Sequence, residues 1–275
     1  MRMLLNLLIL LAVAYLGVVL LVYSGQSRLV YFPEKLLSIT PEAIGLDYTS
    51  VTITTRDGET LHGWWMSVPD AKGTVLFFHG NAGNISHRIN YLTMFKRLGY
   101  NTLLFDYRGY GQSSGVPSES GTYLDAQAAW RYLTETRGIA PARIAVFGES
   151  LGGAVAAWLA AQEKPGLLAL ASTFTSVPDL AAKLYPFLPV RWITRFDYDT
   201  RKSLQSVTCP VFIAHSPQDE IIPFELGRQL FQAAPEPKQF LTLEGGHNIG
   251  FIFMQPLWIK SLGAFMDENL NARRL

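Results

Sequence analysis

Cysteine is nearly absent. The one present, Cys209, cannot form an intramolecular disulfide, and no Cys/His cluster has zinc-ligand spacing, so neither kind of covalent brace is expected. Cys209 precedes Pro210 and an apolar stretch, which reads as buried filler. Charge is scarce too. Charged residues make up 16% of the chain, the formal net charge is +1, and no block of Lys or Arg interleaves with aromatics, which excludes the electrostatic footprint of a nucleic-acid binder. Internal repeats and low-complexity segments are also missing. What remains is apolar: 49% hydrophobic residues over 275 positions are enough for a large buried core, and one catalytic domain is the expectation at this length.

Much of that apolarity is concentrated at the start. Residues 3–23 carry no charge, and Asn6 is their only strongly polar side chain. As a helix they would extend about 30 Å, the thickness of a bilayer's hydrocarbon core. The stretch is longer than the apolar region of a cleaved signal peptide, and a retained single-pass membrane anchor over 1–25 is predicted in preference to a signal peptide or a buried helix. Arg2 and the terminal amine face Arg28 and Lys35 across it, so the positive-inside rule nearly ties, tipping toward an extracytoplasmic catalytic domain.

Residues 26–46 read as a polar and aromatic connection with Pro33 and Pro41, and the folded domain is expected over 47–275. Residues 47–55 and 61–67 flank a turn at Arg56-Asp57-Gly58 and predict an antiparallel hairpin. Beyond it, short unbroken apolar runs at 74–78, 102–105, 144–147, 167–171, 211–214 and 240–243 suit strands covered on both faces. Helix-period segments at 86–98, 123–136, 151–162, 224–233 and 255–269 imply parallel crossovers. The fold class is therefore α/β, with a mostly parallel sheet. An irregular stretch rich in Pro and aromatics, 172–208, is the candidate for a small cap.

Within this frame Gly148-Glu149-Ser150-Leu151-Gly152 fits G-x-S-x-G at a strand-to-helix junction, where a strained turn holds a serine oxygen clear of the backbone and small neighbours permit the turn. Ser150 is the predicted nucleophile. A hydroxyl needs a base, and of the five histidines His247 lies on a loop after the last apolar run, at the strand edge where catalytic groups of open α/β sheets gather. The acid is expected after the next-to-last strand, since the chain order is Ser, acid, His. There Asp219 is chosen over its neighbour Glu220, while Asp197 and Asp199 read as solvated cap carboxylates. The oxyanion donors are expected to be the backbone N–H groups of Leu151 and of Asn81, the latter in the glycine-bearing loop 79–84, with His79 shaping that loop.

With FFHGNAGN at 77–84, FDYRGYGQSSG at 105–115, GESLGG at 148–153, SPQDEIIP at 216–223 and GGHN at 245–248, the sequence resembles the α/β-hydrolase superfamily over residues 49–270. Within it, the chain is similar to the small membrane-anchored branch of bud-emergence-suppressor-like proteins and α/β-hydrolase-domain proteins. The resemblance implies an α/β-hydrolase fold and a supporting role for Asp106 and Arg108 beside the site. It departs from this chain at His215-Ser216, where relatives usually carry His-Gly.

The expected activity is hydrolysis of a carboxylic ester or thioester on a small-molecule or lipid-linked acyl substrate. Phe174, Tyr185, Phe187, Leu188 and Trp192 are candidates for an acyl pocket or for plain packing. No metal and no cofactor are called for. Peptidase activity is the alternative, although no acidic pair marks an amino-terminus subsite, and a non-catalytic binding module is the reading from another class. Dehalogenase and epoxide-hydrolase chemistry is disfavoured, because those relatives carry Asp at the position of Ser150.

Overall fold

The computed structural model describes residues 1–247 and 255–271; Asn248, the last residue of the GGHN motif, lies outside them. Eight strands form one sheet: β1 (Thr49–Thr54), β2 (Thr60–Met66), β3 (Thr74–Phe78), β4 (Asn101–Phe105), β5 (Ile144–Glu149), β6 (Leu167–Ala171), β7 (Val211–His215) and β8 (Lys238–Thr242). Their order across the sheet is β8-β7-β6-β5-β3-β4-β2-β1, with β2 antiparallel to both β1 and β4 and every other neighbour parallel. The expected α/β-hydrolase architecture, an amino-terminal hairpin on a parallel sheet, is the one observed.

The apolar runs are unbroken because both sheet faces are covered. Leu76, Phe78, Val146, Leu168, Leu170 and Ile213 face one core, built with helices α3 (Glu119–Arg131), α4 (Leu151–Glu163) and α8 (Phe224–Ala233). Val75, Phe77, Phe147, Ala169 and Phe212 alternate onto the other face, against α2 (Ile89–Leu98) and α9 (Pro256–Asn271). This two-residue alternation is the period of a strand's side chains. The chain leaves β3 and β5 in opposite directions around the sheet, so the crevice at their carboxyl ends is the topological switch point where α/β proteins bind ligands.

Two segments depart from the sequence reading. The amino-terminal helix α1 (Arg2–Val30) runs through the first five residues of the expected connection, and Gln26 is its only buried residue. It passes the length and composition test for a membrane span. The cap consists of three short helices, α5 (Val177–Leu184), α6 (Val190–Ile193) and α7 (Thr200–Leu204).

Candidate active site

Ser150 stands between β5 and α4 with φ 54° and ψ −121°, a conformation L residues rarely adopt. Its neighbours hold it there. The Ser150 N–H donates to Ala171 O at 2.9 Å, and its carbonyl accepts from Gly153 N at 3.0 Å and Thr173 Oγ1 at 2.6 Å. A side chain at residue 152 would stand 2.1 Å from the Phe78 carbonyl oxygen, so only glycine lets α4 come this close to the end of β3.

The His247 ring reaches this serine from the loop after β8. Its Nε2 lies 3.2 Å from Ser150 Oγ, and its Nδ1 lies 2.8 Å from Asp219 Oδ2. Asp219 follows β7, and Oδ1 accepts the N–H groups of Ile221 (3.0 Å) and Ile222 (2.7 Å), so the turn itself aims the other oxygen at the imidazole. Glu220, the rival acid, points elsewhere: its Oε2 accepts the backbone N–H of His247 at 2.9 Å and so positions the loop rather than the ring. The sequence reading missed His215. It is fully buried, with Nε2 2.9 Å from the Ile222 carbonyl and 3.4 Å from Asp219 Oδ2, which makes it a second support beneath the acid.

Burial by itself would raise the pKa of the Asp219 carboxyl. The hydrogen bonds from His215 and His247, the charge of His247 and the Ile222 N–H outweigh it, and hold the group well below the ordinary carboxylate range. The folded chain thus gives up this proton at lower pH than the unfolded chain. The resulting stabilisation is complete above the ordinary carboxylate value of about 4 and fades as the pH falls below it. Wild type should therefore exceed Asp219→Asn in melting temperature by more at pH 6 than at pH 3. Equal gaps at the two pH values would show that these partners do not favour the carboxylate.

The loop after β3 forms the facing wall. His79 is buried, with Nδ1 2.7 Å from the Gly80 carbonyl and Nε2 3.4 Å from Asp106 Oδ1, and that same oxygen accepts the Ile85 N–H at 2.9 Å. Arg108 donates to Asp125 through Nε at 2.9 Å and to Asp57 through a terminal nitrogen at 2.7 Å, bracing the loop after β4. Asn81 has its side chain turned away, donating to the Val30 carbonyl at 3.0 Å, and its own carbonyl accepts from Phe32 N and the Tyr110 hydroxyl. Leu151 is the first residue of α4, where backbone N–H groups have no partner within the helix. Both residues line the same cavity as Ser150 and His247.

That cavity, about 500 Å³, is the size of a small-ligand pocket. Its apolar wall is only partly the expected one. Phe174 and Tyr185 line it, but Phe187, Leu188 and Trp192 do not. The reason is helical phase. On α5 the positions Val177, Leu180, Ala181 and Leu184 share one face, and that face meets the cavity. On α6 the inward positions are Val190, Ile193 and Thr194, which turns Trp192 outward to 90% exposure. Phe187, in the turn between the two helices, is 87% exposed, and Leu188 follows it in that turn.

The remaining wall comes from α1, through Val22, Gln26, Leu29 and Val30, with Phe32 just beyond it. Gln26 donates to the Ile193 carbonyl at 2.7 Å and accepts from Arg195 N at 2.8 Å. Phe32–Pro33 pairs as a short parallel strand with Ala82–Gly83. One helix end is thus bolted to both the cap and the loop after β3. The lone polar residue among these four was the available sign in the sequence. Among the described residues, no group of three or more His, Cys, Asp or Glu side chains is arranged to hold a metal ion.

Residues 73–208 match the family model of the alpha/beta hydrolase fold. The chain is 38% identical to the alpha/beta hydrolase domain-containing protein WAV2 of Arabidopsis thaliana, over 75% of this chain and 74% of that one. It is 35% identical to protein bem46 of Schizosaccharomyces pombe, over 73% of this chain and 72% of that protein. The chain belongs to the α/β-hydrolase family, in the branch of bem46-like proteins. The solved structure of the Pyrococcus furiosus esterase Pf2001 has the same fold, with a TM-score of 0.73 at 23% identity, covering 88% of this chain and all of that one.

Proposed function

We propose that this α/β hydrolase cleaves carboxylic esters or thioesters through an acyl-enzyme on Ser150, anchored to a membrane by α1. Ser150 Oγ attacks the acyl carbonyl carbon while His247 Nε2 takes the hydroxyl proton. The N–H groups of Leu151 and Asn81 serve the oxyanion, and the proton passes to the departing alcohol or thiol. Water then attacks the acyl-enzyme by the same route and releases the acid. Asp219 holds the imidazole in its working tautomer and stabilises its charged form.

The observation that supports this most is the pair of contacts Ser150 Oγ to His247 Nε2 and His247 Nδ1 to Asp219 Oδ2, at the mouth of a largely apolar cavity. The cavity also favours an ester over a peptide amino terminus. Glu149, the carboxylate in its lining, is engaged by Arg88 at 3.2 Å and is not free to receive a substrate ammonium. The esterase named among the solved structures of this fold is consistent with the reading.

A fluorophosphonate probe should label the full-length protein, and a panel of acyl esters, acyl thioesters and aminoacyl amides should show turnover of the first two. Absence of labelling would leave a binding module, and preference for the amides would make the protein a peptidase.

A further inference from the structure

The cap and α1 share one exposed surface. The Tyr15 hydroxyl donates to the Phe187 carbonyl at 2.9 Å, and the Arg195 guanidinium lies 5.7 Å over the Tyr23 ring. Together with the Gln26 contacts, these fix the cap along the helix from residue 26 to residue 15. Tyr15 is eight residues inside the carboxyl end of the uncharged stretch 3–23, about 12 Å along the axis. A bilayer that takes up that stretch must therefore also meet the tip of the cap.

The tip is made for such contact. Phe187 and Trp192, the two large apolar side chains turned away from the cavity, lie nearly fully exposed on it, beside Leu184 and Tyr185. Such a cluster is expensive in water and marks a surface for apolar contact, of the kind lipid would cover. The flanking cations fit the same picture. Arg195 sits at the level of Tyr23, where the uncharged stretch ends, and Lys183 has a long stem that lets its charge reach headgroups, while Arg191 is paired with Asp179 at 2.9 Å. Leu184 and Tyr185 on the cap and Leu29 on α1 are both exposed and part of the cavity wall, so they mark a stretch of its rim that faces this same surface.

We propose that Leu184, Tyr185, Phe187 and Trp192 continue the apolar flank of α1 as one surface seated in the acyl-chain zone of a phospholipid bilayer, through which the cavity takes the acyl chain of a membrane amphiphile directly from the lipid. The substrate part of this inference rests on the ester-hydrolase reading above; the immersion of the cap does not.

The test uses the full-length chain in phosphatidylcholine vesicles whose acyl chains carry bromine. Of the six tryptophans, Trp64, Trp65, Trp130 and Trp258 are buried and Trp158 is half-buried and stacked on Tyr123, so the nearly fully exposed Trp192 should dominate quenching by the lipid. Acyl-chain bromine should quench wild type strongly, and Trp192→Phe should lose most of that quenching. Equal quenching in the two proteins would overturn the immersion. Shielding of Trp192 from both bromolipid and aqueous iodide would also overturn it, by placing a second copy of the chain on the cap. For the substrate route, the Phe187→Ser/Trp192→Ser double variant should hydrolyse a long-chain monoacyl ester in the vesicles at least about 10-fold more slowly, a cost of about 1.4 kcal/mol. Its rate on water-dissolved p-nitrophenyl acetate should stay at the wild-type level. Parallel loss on both substrates would overturn lateral entry. Wild type inert toward both esters, with the bromine quenching intact, would support the immersion while overturning the hydrolytic reading.

Discussion

Ser150→Ala is expected to lower kcat for ester hydrolysis by about five to six orders of magnitude and to abolish phosphonate labelling. The size of the effect follows from the chemistry. Without Oγ there is no acyl-enzyme, so His247 and Asp219 lose their partner, and what survives is the background from bound substrate and oxyanion donors. The fold should be indifferent to the change. The strained backbone at φ 54° is held by its own N–H donating to Ala171 and its carbonyl accepting from Gly153 and Thr173, all main-chain atoms of residue 150 that alanine keeps. Stopped assays on short p-nitrophenyl esters, paired with a thermal melt, give both readouts. A rate equal to wild type would remove Ser150 from the mechanism, and with it the function proposed for this chain.

Gly152→Ala should also be damaging, to a smaller extent and for a different reason. The added methyl would lie 2.1 Å from the Phe78 carbonyl oxygen and 2.5 Å from that of His79, and both are backbone atoms that no rotamer change can move aside. Either α4 lifts from the sheet or the loop after β3 shifts. The first displaces Ser150 and Leu151, the second Gly80 and Asn81, so each route opens the proposed oxyanion site. Overpacking at such a contact costs about 3 kcal/mol, and losing one oxyanion donor costs about 10²- to 10³-fold in kcat. Chemical denaturation and kcat/KM should therefore fall together. Gly25→Ala on α1, whose methyl meets nothing within 4 Å, should change neither. A Gly152→Ala protein with wild-type stability would mean that α4 does not approach β3 this closely.

The two variants test the part of the molecule that local sequence could describe. The segments 74–78, 167–171 and 224–233 appear in the structure with those same bounds, because each carries its period within a few residues. Elsewhere the local signal misled. Strand β8 begins at Lys238, two residues before the apolar run, because an edge strand is half-covered and tolerates Lys238 and Gln239. Helix α3 begins at Glu119 rather than residue 123. Ser118 accepts the Gly121 N–H there, and a glycine inside the helix is tolerated where the Arg108 side chain passes within 2.5 Å of the space a Cβ would take.

For the site, the order of Ser150, Asp219 and His247 along the chain and their places after β5, β7 and β8 were legible. In a parallel sheet every carboxyl end faces the same edge, so adjacency in space follows from topology. Sequence could not say whether Asp219 or Glu220 meets the imidazole; the turn that gives Oδ1 to Ile221 and Ile222 leaves Asp219 Oδ2 in contact with the ring. Nor could it say which cap residues face inward. Phe174 and Phe187 are the same residue type in the same apolar segment, yet Phe174, ahead of α5, lines the cavity and Phe187, in the turn between α5 and α6, is exposed.

By itself, then, the amino-acid order determined the α/β sheet, its strand-end loops and an apolar amino-terminal helix, since all three arise from periodicity and polarity within short windows. The docking of that helix's last turns onto the cap and the loop after β3, and the cavity this encloses, were decided only by tertiary structure. Those contacts join residues up to about 170 positions apart, such as Gln26 with Ile193 and Tyr15 with Phe187, and no short window contains both partners.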